Sequence, residues 1–256
     1  SPINNIMTRF AIIIPARYAS TRFPGKPLAL LAGKPVIEHV YTNAAKAGMP
    51  LYVATDDERI RRCVEGFGGN VIMTASTHRS GTDRLCEALQ KLPQQPDVVI
   101  NLQGDEPFVT VEQIKALADC FRDPETQIAT LVQRFKPELG FDALFSPNLV
   151  KVVFDDNFRA LYFSRSIIPY TRSVEWKEWL ATTEYFTHIG MYAYRAEVLR
   201  RVAAMPPSSL EKAESLEQLR WLQAGLNIKV AISPTASSIG IDTPEDLEAA
   251  EKALKL

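Results

Sequence analysis

The sequence predicts an α/β domain in which a mostly parallel sheet is flanked by helices and an antiparallel lobe is inserted. Up to residue 121, strand-sized apolar runs alternate with segments of helical periodicity, the pattern of a parallel sheet. Between residues 128 and 195, strand-like runs follow one another with only loops between them. The chain has 256 residues and is 46% hydrophobic, enough to bury a large core. We therefore expect one domain over residues 9–256, with residues 128–195 as its lobe.

The first half supplies the parallel strands. Residues 10–14 form a continuous apolar run, as a strand buried on both faces requires. Pro35 suits a first helical position, and apolar residues follow at helical spacing until Gly48 ends the pattern. The further predicted strands are 51–54, 71–73 and 98–102, and the further predicted helices are 57–67, 82–92 and 111–121. Strands and helices of these lengths imply right-handed crossovers.

The second half breaks this rhythm before returning to it. The predicted lobe strands are 128–135, 149–154, 160–163 and 188–194. Helices are expected at 196–204 and 211–224, a strand at 228–232 and a last helix from Pro244. Residues 173–185 are rich in Trp, Glu and Thr and match no motif, so we expect a lid or a subunit contact there.

Charge and apolar runs exclude several classes of protein. The chain has 29 Lys and Arg residues and 30 Asp and Glu residues, a formal net charge of -1. This charge would not attract the protein to nucleic acid or to a membrane surface. The apolar runs are strand-sized and too short to span a bilayer. Residues 1–8 lack the pattern of a secretory signal and are expected to be a leader or tag remnant. The three cysteines are scattered in helix-like segments, typical of reduced thiols in a cytoplasmic protein.

A basic loop directly follows the first strand. Residues 15–27 contain Arg17, Arg22 and Lys26 and no acidic residue. Ligands of open α/β sheets lie beyond the carboxyl ends of the strands, and guanidinium groups and backbone N–H groups match phosphate oxygens. The loop is neither a Walker A nor a dinucleotide-binding motif. It predicts a polyphosphate site, and the alternative is a solvated basic loop.

Two aspartates are candidate metal ligands. Asp105 follows Gln103 and Gly104 at the carboxyl end of the fourth predicted strand. Mg²⁺ usually takes one or two carboxylates together with substrate phosphates and water, which suits Asp105. The alternative for Asp105 is a turn or cap residue. Asp242 has a stronger alternative as a helix cap, because Pro and acidic residues follow it.

Two further stretches are candidate substrate contacts. The polar loop 74–82 after the third strand would present hydroxyl and backbone groups to a base, although a plain connecting loop is the simpler interpretation, with His78 exposed. His188, Gly190 and Tyr192 alternate along a strand and so share one face, which is either a ligand face or core packing. Arg165 and Arg172 are candidates to hold a carboxylate of a ligand.

These segments resemble those of one enzyme family. Residues 14–27 (IPARYASTRFPGKP) resemble the opening signature of the CMP-Kdo synthetases, formally 3-deoxy-manno-octulosonate cytidylyltransferases. The similarity continues through VATDD (53–57), SGTD (80–83), NLQGDEP (101–107), LYFSR (161–165), HIGMY (188–192), LEQLR (216–220) and IDTPED (241–246). It covers nearly the whole chain from Phe10. Sialic acid cytidylyltransferases would share the opening motif, but the later motifs together are specific.

The resemblance implies an activity and a set of roles. A sheet of the nucleotide-diphospho-sugar transferase type would bind CTP and an acidic 2-keto sugar, transfer CMP to Kdo and release pyrophosphate for lipopolysaccharide synthesis. By this resemblance Asp105 and Asp242 bind Mg²⁺. Cytosine contacts would come from Ala16, Arg17, Ser80 and Gln103, and Kdo contacts from Arg165, Arg172, His188, Tyr192, Glu217 and Gln218. The alternative for Glu217 and Gln218 is the exposed face of an amphipathic helix.

No activated nucleophile is visible in the sequence, which agrees with direct in-line attack carried by positioning and charge. We expect Lys26 and Arg22 to neutralise the phosphates, and we expect a homodimer. Rival hypotheses are a cytidylyltransferase for sialic acid or amino-substituted Kdo, a metal-dependent glycosyltransferase and an inactive nucleotide-binding regulator.

Overall fold

The computed structural model describes residues 7–236 and 240–255, so residues 1–6 of the predicted leader lie outside the described part. The first half alternates strands and helices as predicted. Its strands are β1 (Phe10–Pro15), β2 (Leu30–Leu31), β3 (Lys34–Pro35), β4 (Leu51–Thr55), β5 (Val71–Met73) and β6 (Val98–Asn101). Its helices are α1 (Val36–Ala45), α2 (Glu58–Gly66), α3 (Gly81–Gln90) and α4 (Val111–Asp119).

The second half contains the remaining strands and helices. Its strands are β7 (Ile128–Arg134), β8 (Lys151–Phe154), β9 (Ala160–Ser164), β10 (Phe186–Arg195) and β11 (Ile228–Ile232). Its helices are α5 (Phe141–Phe145), α6 (Trp179–Thr182), α7 (Ala196–Ala203), α8 (Ser209–Glu214), α9 (Gln218–Gln223) and α10 (Pro244–Leu254). None of the helices within residues 7–236 and 240–255 is long and apolar enough to cross a membrane.

The central sheet has the order β5-β4-β1-β6-β10-β7-β11, and only β10 in this order is antiparallel to its neighbours. The carboxyl ends of β1, β4, β5 and β6 therefore lie at one edge. In β1, Ile12 and Ile14 pack into one apolar layer with α1, α2 and α4, whereas Ala11 and Ile13 face the opposite layer with α3 and α7. Since both faces of β1 are covered, its four central residues are all apolar, as the sequence predicted.

Antiparallel strand pairing occurs within residues 128–195, but the strands are divided between two places and do not all belong to a lobe. Strands β7 and β10 lie inside the central sheet, whereas β8 and β9 form a hairpin attached to the beginning of β10. Around the hairpin, residues 135–185 bury a small cluster of their own, which contains Phe135, Leu144, Trp179 and Tyr185. Residues 173–185 belong to this cluster through Trp179 and Tyr185.

One predicted helix is wrong. Residues 211–224 form two short helices because Ser215 adopts a left-handed conformation with φ 55° between α8 and α9. The carboxylate of Glu214 accepts hydrogen bonds from Tyr162 Oη, Ser164 Oγ and Arg165 N, each at 2.8 Å. Because these contacts bind Glu214 to β9 and to Arg165, which directly follows it, α8 ends at Glu214 and does not continue into α9. The three cysteines are free thiols, as predicted.

Candidate active site

The candidate site lies at the edge of the sheet where β1, β5 and β6 end. A pocket of about 760 Å³ is lined by the loop after β1, including Arg17, Arg22 and Lys26, and also by Asp242. A second pocket of about 310 Å³ adjoins it and shares Arg17. The basic loop therefore lines a cleft, with Arg17 and Arg22 exposed along it. One half of the loop lies beside Asp242 and the other beside the loop after β5.

The shape of the basic loop depends on Gly25. This residue has φ 71°, and a Cβ atom there would lie 2.8 Å from the Tyr18 ring. Gly25 N donates to Tyr18 O at 2.8 Å, which closes the loop, and the Arg59 guanidinium of α2 stacks on the Tyr18 ring at 3.3 Å. A side chain at position 25 would open this closure and move Lys26, which directly follows.

Lys26 joins the two candidate metal ligands. Its Nζ lies 3.0 Å from Asp105 Oδ2 and 3.3 Å from Asp242 Oδ1. The side chains of Lys26 and Asp105 are 16% and 23% exposed, whereas that of Asp242 is 64% exposed. A single ammonium thus bridges two carboxylates, one sheltered and one facing the cleft.

Backbone contacts bring these carboxylates together. Ile241 N donates to Asp105 O at 2.8 Å, so the segment before α10 lies against the end of β6. The helix cap is Thr243, which forms a reciprocal capping box with Asp246. The alternative of Asp242 as the cap is therefore wrong, and its carboxylate is available to Lys26. Gly104 lets β6 turn here, because a Cβ would lie 3.0 Å from Pro15 O.

The site is rich in negative charge. Burial raises the pKa of Asp105 above its ordinary value, although Lys26 opposes the shift. Burial raises the pKa of the neighbouring Glu106 to about 7, and the charges of Asp105 and Asp242 add to this effect. Glu106 Oε2 is buried without a hydrogen-bond partner. Lys26 is thus shared by two carboxylates, and this arrangement suits a further cation.

The donor set fits magnesium bound together with a substrate. Within residues 7–236 and 240–255, no three His, Cys, Asp or Glu side chains cluster as a metal site. Asp105 and Asp242 would supply two carboxylates, and a triphosphate in the adjoining cleft would supply further oxygen ligands. This is how Mg²⁺ is usually held in phosphoryl-transfer sites.

The second pocket contains all four residues predicted to contact the base: Ala16, Arg17, Ser80 and Gln103. Ser80 caps α3, accepting from Asp83 N at 3.3 Å, and Gln103 Nε2 donates to Gly190 O at 3.4 Å. His78 is not exposed as predicted, since its side chain is 17% exposed and its Nε2 lies 2.8 Å from Glu87 Oε1. Glu87 also accepts from Ala75 N at 3.0 Å, so α3 tethers the pocket wall.

Two of the predicted sugar-binding residues, His188 and Tyr192, lie on one face of β10, with their ring centroids 5.4 Å apart. The opposite face of β10 buries Ile189 and Met191 in the core, as the alternation predicted. Burial lowers the pKa of His188 to about 3, so its imidazole is neutral. Thr130 Oγ1 lies 2.7 Å from Met191 O and 2.8 Å from His188 Nε2. Because the hydroxyl donates to the carbonyl, it accepts from Nε2–H and leaves His188 Nδ1 as an acceptor.

Glu217 and Gln218 do not form an exposed helix face. Gln218 is 5% exposed, and burial raises the pKa of the half-buried Glu217. The Thr82 hydroxyl donates to Glu217 Oε1. Both predicted sugar-binding residues therefore point inward at the start of α9.

Arg165 and Arg172 have different surroundings. The Arg165 guanidinium donates to three carbonyl oxygens: Glu214 O at 2.5 Å, Pro147 O at 2.8 Å and Ser215 O at 3.1 Å. In this arrangement its donors connect the lobe to the break between α8 and α9. Arg172 is exposed at the lobe surface. The structure thus brings together His188 and Tyr192 but gives Arg165 backbone partners.

Comparison with known proteins identifies the family. A profile described as cytidylyltransferase matches residues 11–229. A 3-deoxy-manno-octulosonate cytidylyltransferase of Phocaeicola vulgatus is 58% identical over 247 residues, covering 96% of this chain and 98% of the relative. The chain belongs to the 3-deoxy-manno-octulosonate cytidylyltransferase family. A relative of the same name from Bacteroides thetaiotaomicron is 56% identical, with the same coverage of both chains.

Solved structures confirm the fold of this cytidylyltransferase. A structure of CMP:2-keto-3-deoxy-manno-octonic acid synthetase complexed with CTP matches with a TM-score of 0.88 at 43% identity, covering 97% of this chain and 99% of that one. A 4-diphosphocytidyl-2C-methyl-D-erythritol synthase from Anaerococcus prevotii matches with a TM-score of 0.62 at 16% identity, a likeness of fold alone. The mostly parallel sheet flanked by helices is therefore the predicted nucleotide-diphospho-sugar transferase type.

Sequence reasoning missed the residues that hold the candidate ligands of this cytidylyltransferase in place. Thr130 orients His188, Thr82 contacts Glu217, and Glu87 tethers the base loop. Thr82 lies within the SGTD motif and Glu87 follows it in the same predicted helix, so their position gave a weak signal. Thr130 gave none, because a threonine in a buried strand is ordinary.

Proposed function

We propose that the chain transfers CMP from CTP to 3-deoxy-manno-octulosonate, releasing pyrophosphate. The observation that carries this proposal is the contact of Lys26 with both Asp105 and Asp242, beside a second pocket lined by polar residues such as Ser80 and Gln103. Such a cleft suits a triphosphate at one end and a base at the other. The names of the relatives from Phocaeicola vulgatus and Bacteroides thetaiotaomicron agree with this assignment.

The basic loop would bind the triphosphate. Lys26 and Arg22 line the larger pocket and would neutralise the β- and γ-phosphates, so that pyrophosphate leaves with its charge balanced. Arg17 lies where the two pockets meet and would contact the nucleotide between its phosphates and its base. Ala16, Ser80 and Gln103 would then present backbone and side-chain groups to the cytosine edge.

Asp105 and Asp242 would hold Mg²⁺. When bound, the ion would lower the pKa of the attacking sugar hydroxyl and offset charge on the α-phosphate, so that a protein base is not required. Lys26 already lies between these carboxylates, so it would move toward the phosphates as substrates bind. The transfer forms a bond from the sugar hydroxyl oxygen to the α-phosphorus and breaks the bond from that phosphorus to the bridging oxygen of pyrophosphate, while the hydroxyl proton passes to solvent water.

The acceptor would lie against β10 and the start of α9. His188 Nδ1 would accept from a sugar hydroxyl, and Tyr192, Glu217 and Gln218 would offer further polar contacts. Arg165 and Arg172 are proposed to bind the sugar carboxylate. For Arg165 this requires a change from the backbone partners it has here.

We also propose a homodimer formed through the lobe. Several large apolar side chains of the lobe are exposed, among them Leu139, Phe145, Tyr170 and Trp176, at 64%, 66%, 75% and 51%. Exposed apolar groups clustered in one part of a fold favour a protein interface. The proposed product would serve lipopolysaccharide synthesis, and the proposed location is the cytoplasm.

A pyrophosphate-release assay tests this function. The four nucleoside triphosphates are each combined with Kdo, an amino-substituted Kdo and sialic acid in the presence of Mg²⁺. We expect release only with CTP, and fastest with Kdo. Faster release with sialic acid would instead favour the sialic acid rival, and no release with any pair would favour the regulator. A glycosyltransferase would release nucleoside diphosphate from a nucleotide sugar.

A further inference from the structure

Thr82 lies between the proposed base site and the proposed acceptor site. It is the second residue of α3, whose cap Ser80 lines the base pocket. Thr82 is 5% exposed, and its hydroxyl donates to Glu217 Oε1 at the start of α9, 135 residues further along the chain. One helical turn therefore faces the nucleotide through Ser80 and the acceptor through Thr82.

The Glu217 carboxylate has few other partners. The Arg220 guanidinium is 4.0 Å away, measured from its Nη2 to Glu217 Oε2. Arg220 is already bound by both carboxylate oxygens of Glu211, at 2.7 and 2.6 Å. Within residues 7–236 and 240–255, Thr82 is the one hydrogen-bond donor to the Glu217 side chain. The orientation of this carboxylate therefore depends on a single hydroxyl.

We propose that Thr82 is a positioning residue that fixes the Glu217 carboxylate for the acceptor sugar. This inference rests on the proposed function, because it assigns Glu217 to the acceptor site. The Thr82 hydroxyl is also hydrogen-bonded to the Tyr194 side chain. Thr82 has one proton to donate, and Glu217 Oε1 takes it, which leaves Glu217 Oε2 to accept from a sugar hydroxyl. Without the hydroxyl, a half-buried carboxylate would have to find water or turn away from the sugar.

The effect should be specific to the acceptor. The Ser80 cap depends on Asp83 N, not on the Thr82 side chain, so the base pocket remains as it is when Thr82 changes. A residue that only supports packing would lower the melting temperature or the active fraction without changing the KM for one substrate alone. A change in the KM for Kdo without a change in the KM for CTP therefore distinguishes a positioning role of Thr82 from a packing role.

The test compares Thr82→Val, which has the same shape without the hydroxyl, with Thr82→Ser, which keeps the hydroxyl. We expect Thr82→Val to raise the KM for Kdo roughly tenfold, as the loss of one hydrogen bond to a charged group implies, while the KM for CTP changes less than about twofold. Thr82→Ser should remain close to wild type. Thr82→Ala replaces Thr82→Val if the latter does not fold.

A double-mutant cycle with Glu217→Gln completes the test. If Thr82 acts through Glu217, the double variant Thr82→Val/Glu217→Gln should be no worse than the worse single variant. Additive losses, an unchanged KM for Kdo in Thr82→Val, or a Thr82→Ser variant as impaired as Thr82→Val would overturn the proposal. Failure of the wild-type protein to use Kdo would instead refute the proposed function.

Discussion

Asp105→Asn should strongly reduce turnover while changing the stability of the fold only slightly. The substitution keeps the shape of the side chain and removes its charge. In the structure, Asp105 Oδ2 lies 3.0 Å from Lys26 Nζ and only 23% of the side chain is exposed. Burial nevertheless raises the pKa of Asp105, so desolvation of the ionised carboxylate outweighs the attraction of Lys26.

The size of each effect follows from these contacts. An ion pair at this distance is attracted by about 5 kcal/mol at an effective dielectric constant near 20, and burying each ion costs several kcal/mol. Desolvation slightly exceeds this attraction, and Lys26 keeps Asp242 as a partner, so Asp105→Asn should change the free energy of unfolding by less than about 1 kcal/mol. For a domain of this size, that is a shift in Tm of about 2–4 °C at most. Loss of a preorganised charge from the reaction centre should reduce kcat at least about 100-fold.

The assay measures Tm by calorimetry and kcat by pyrophosphate release on the same preparation. Asp156→Asn is the matched control, because Asp156 lies exposed in the turn between β8 and β9, away from the cleft. We expect this control to equal wild type in both measurements. Near-normal turnover in Asp105→Asn would refute the catalytic role. A large fall in its Tm would show that desolvation and the attraction of Lys26 do not cancel.

Further predictions concern neighbouring parts of the site. Lys26→Met leaves Asp105 and Asp242 without the ammonium that bridges them, so Mg²⁺ should bind about 10-fold more tightly. In Tm titrations with Mg²⁺, the ion should therefore stabilise the variant by about 1.4 kcal/mol more than it stabilises wild type. Equal Tm shifts in the two proteins would contradict this prediction. Gly104→Ala places a methyl 3.0 Å from Pro15 O and should lower stability by about 1–3 kcal/mol in denaturant unfolding. The pKa of Glu87 is held at about 2, below its ordinary 4.5, mainly through Ala75 N, Lys91 and His78 acting against burial. The contribution of ionised Glu87 to the free energy of unfolding is therefore complete above pH 4.5 and is lost as the pH falls toward 2. The loss amounts to at most about 3 kcal/mol. Acid unfolding of Glu87→Gln should not show this loss.

Local patterns in the sequence predicted most of the fold. The apolar run of β1 and the helix start at Pro35 depend on neighbours in the chain, and both predictions agree with the structure within a residue or two. The break between α8 and α9 could not be predicted, because it depends on contacts of Glu214 with β9, some 50 residues away. Residues 211–224 have a helical pattern throughout, and tertiary contacts override it.

The candidate site shows the same division. Motifs predicted which residues would gather at the sheet edge, since strand ends mark that edge. The sequence could not show that Lys26 bridges Asp105 and Asp242, because these side chains are 79 and 216 residues away along the chain. Nor could the sequence show that Arg165 would bind backbone carbonyls, because an arginine with backbone partners and an arginine with a ligand partner have no different sequence signal.

Phosphorus NMR of a single reaction mixture distinguishes CMP transfer to Kdo from simple hydrolysis of CTP. Wild-type protein, CTP, Kdo and Mg²⁺ are followed together, and each component is omitted in turn. We predict that a sugar phosphodiester and pyrophosphate grow in equal amounts only in the complete mixture. Appearance of free CMP with pyrophosphate in the absence of Kdo, or no phosphodiester in the complete mixture, would contradict the account.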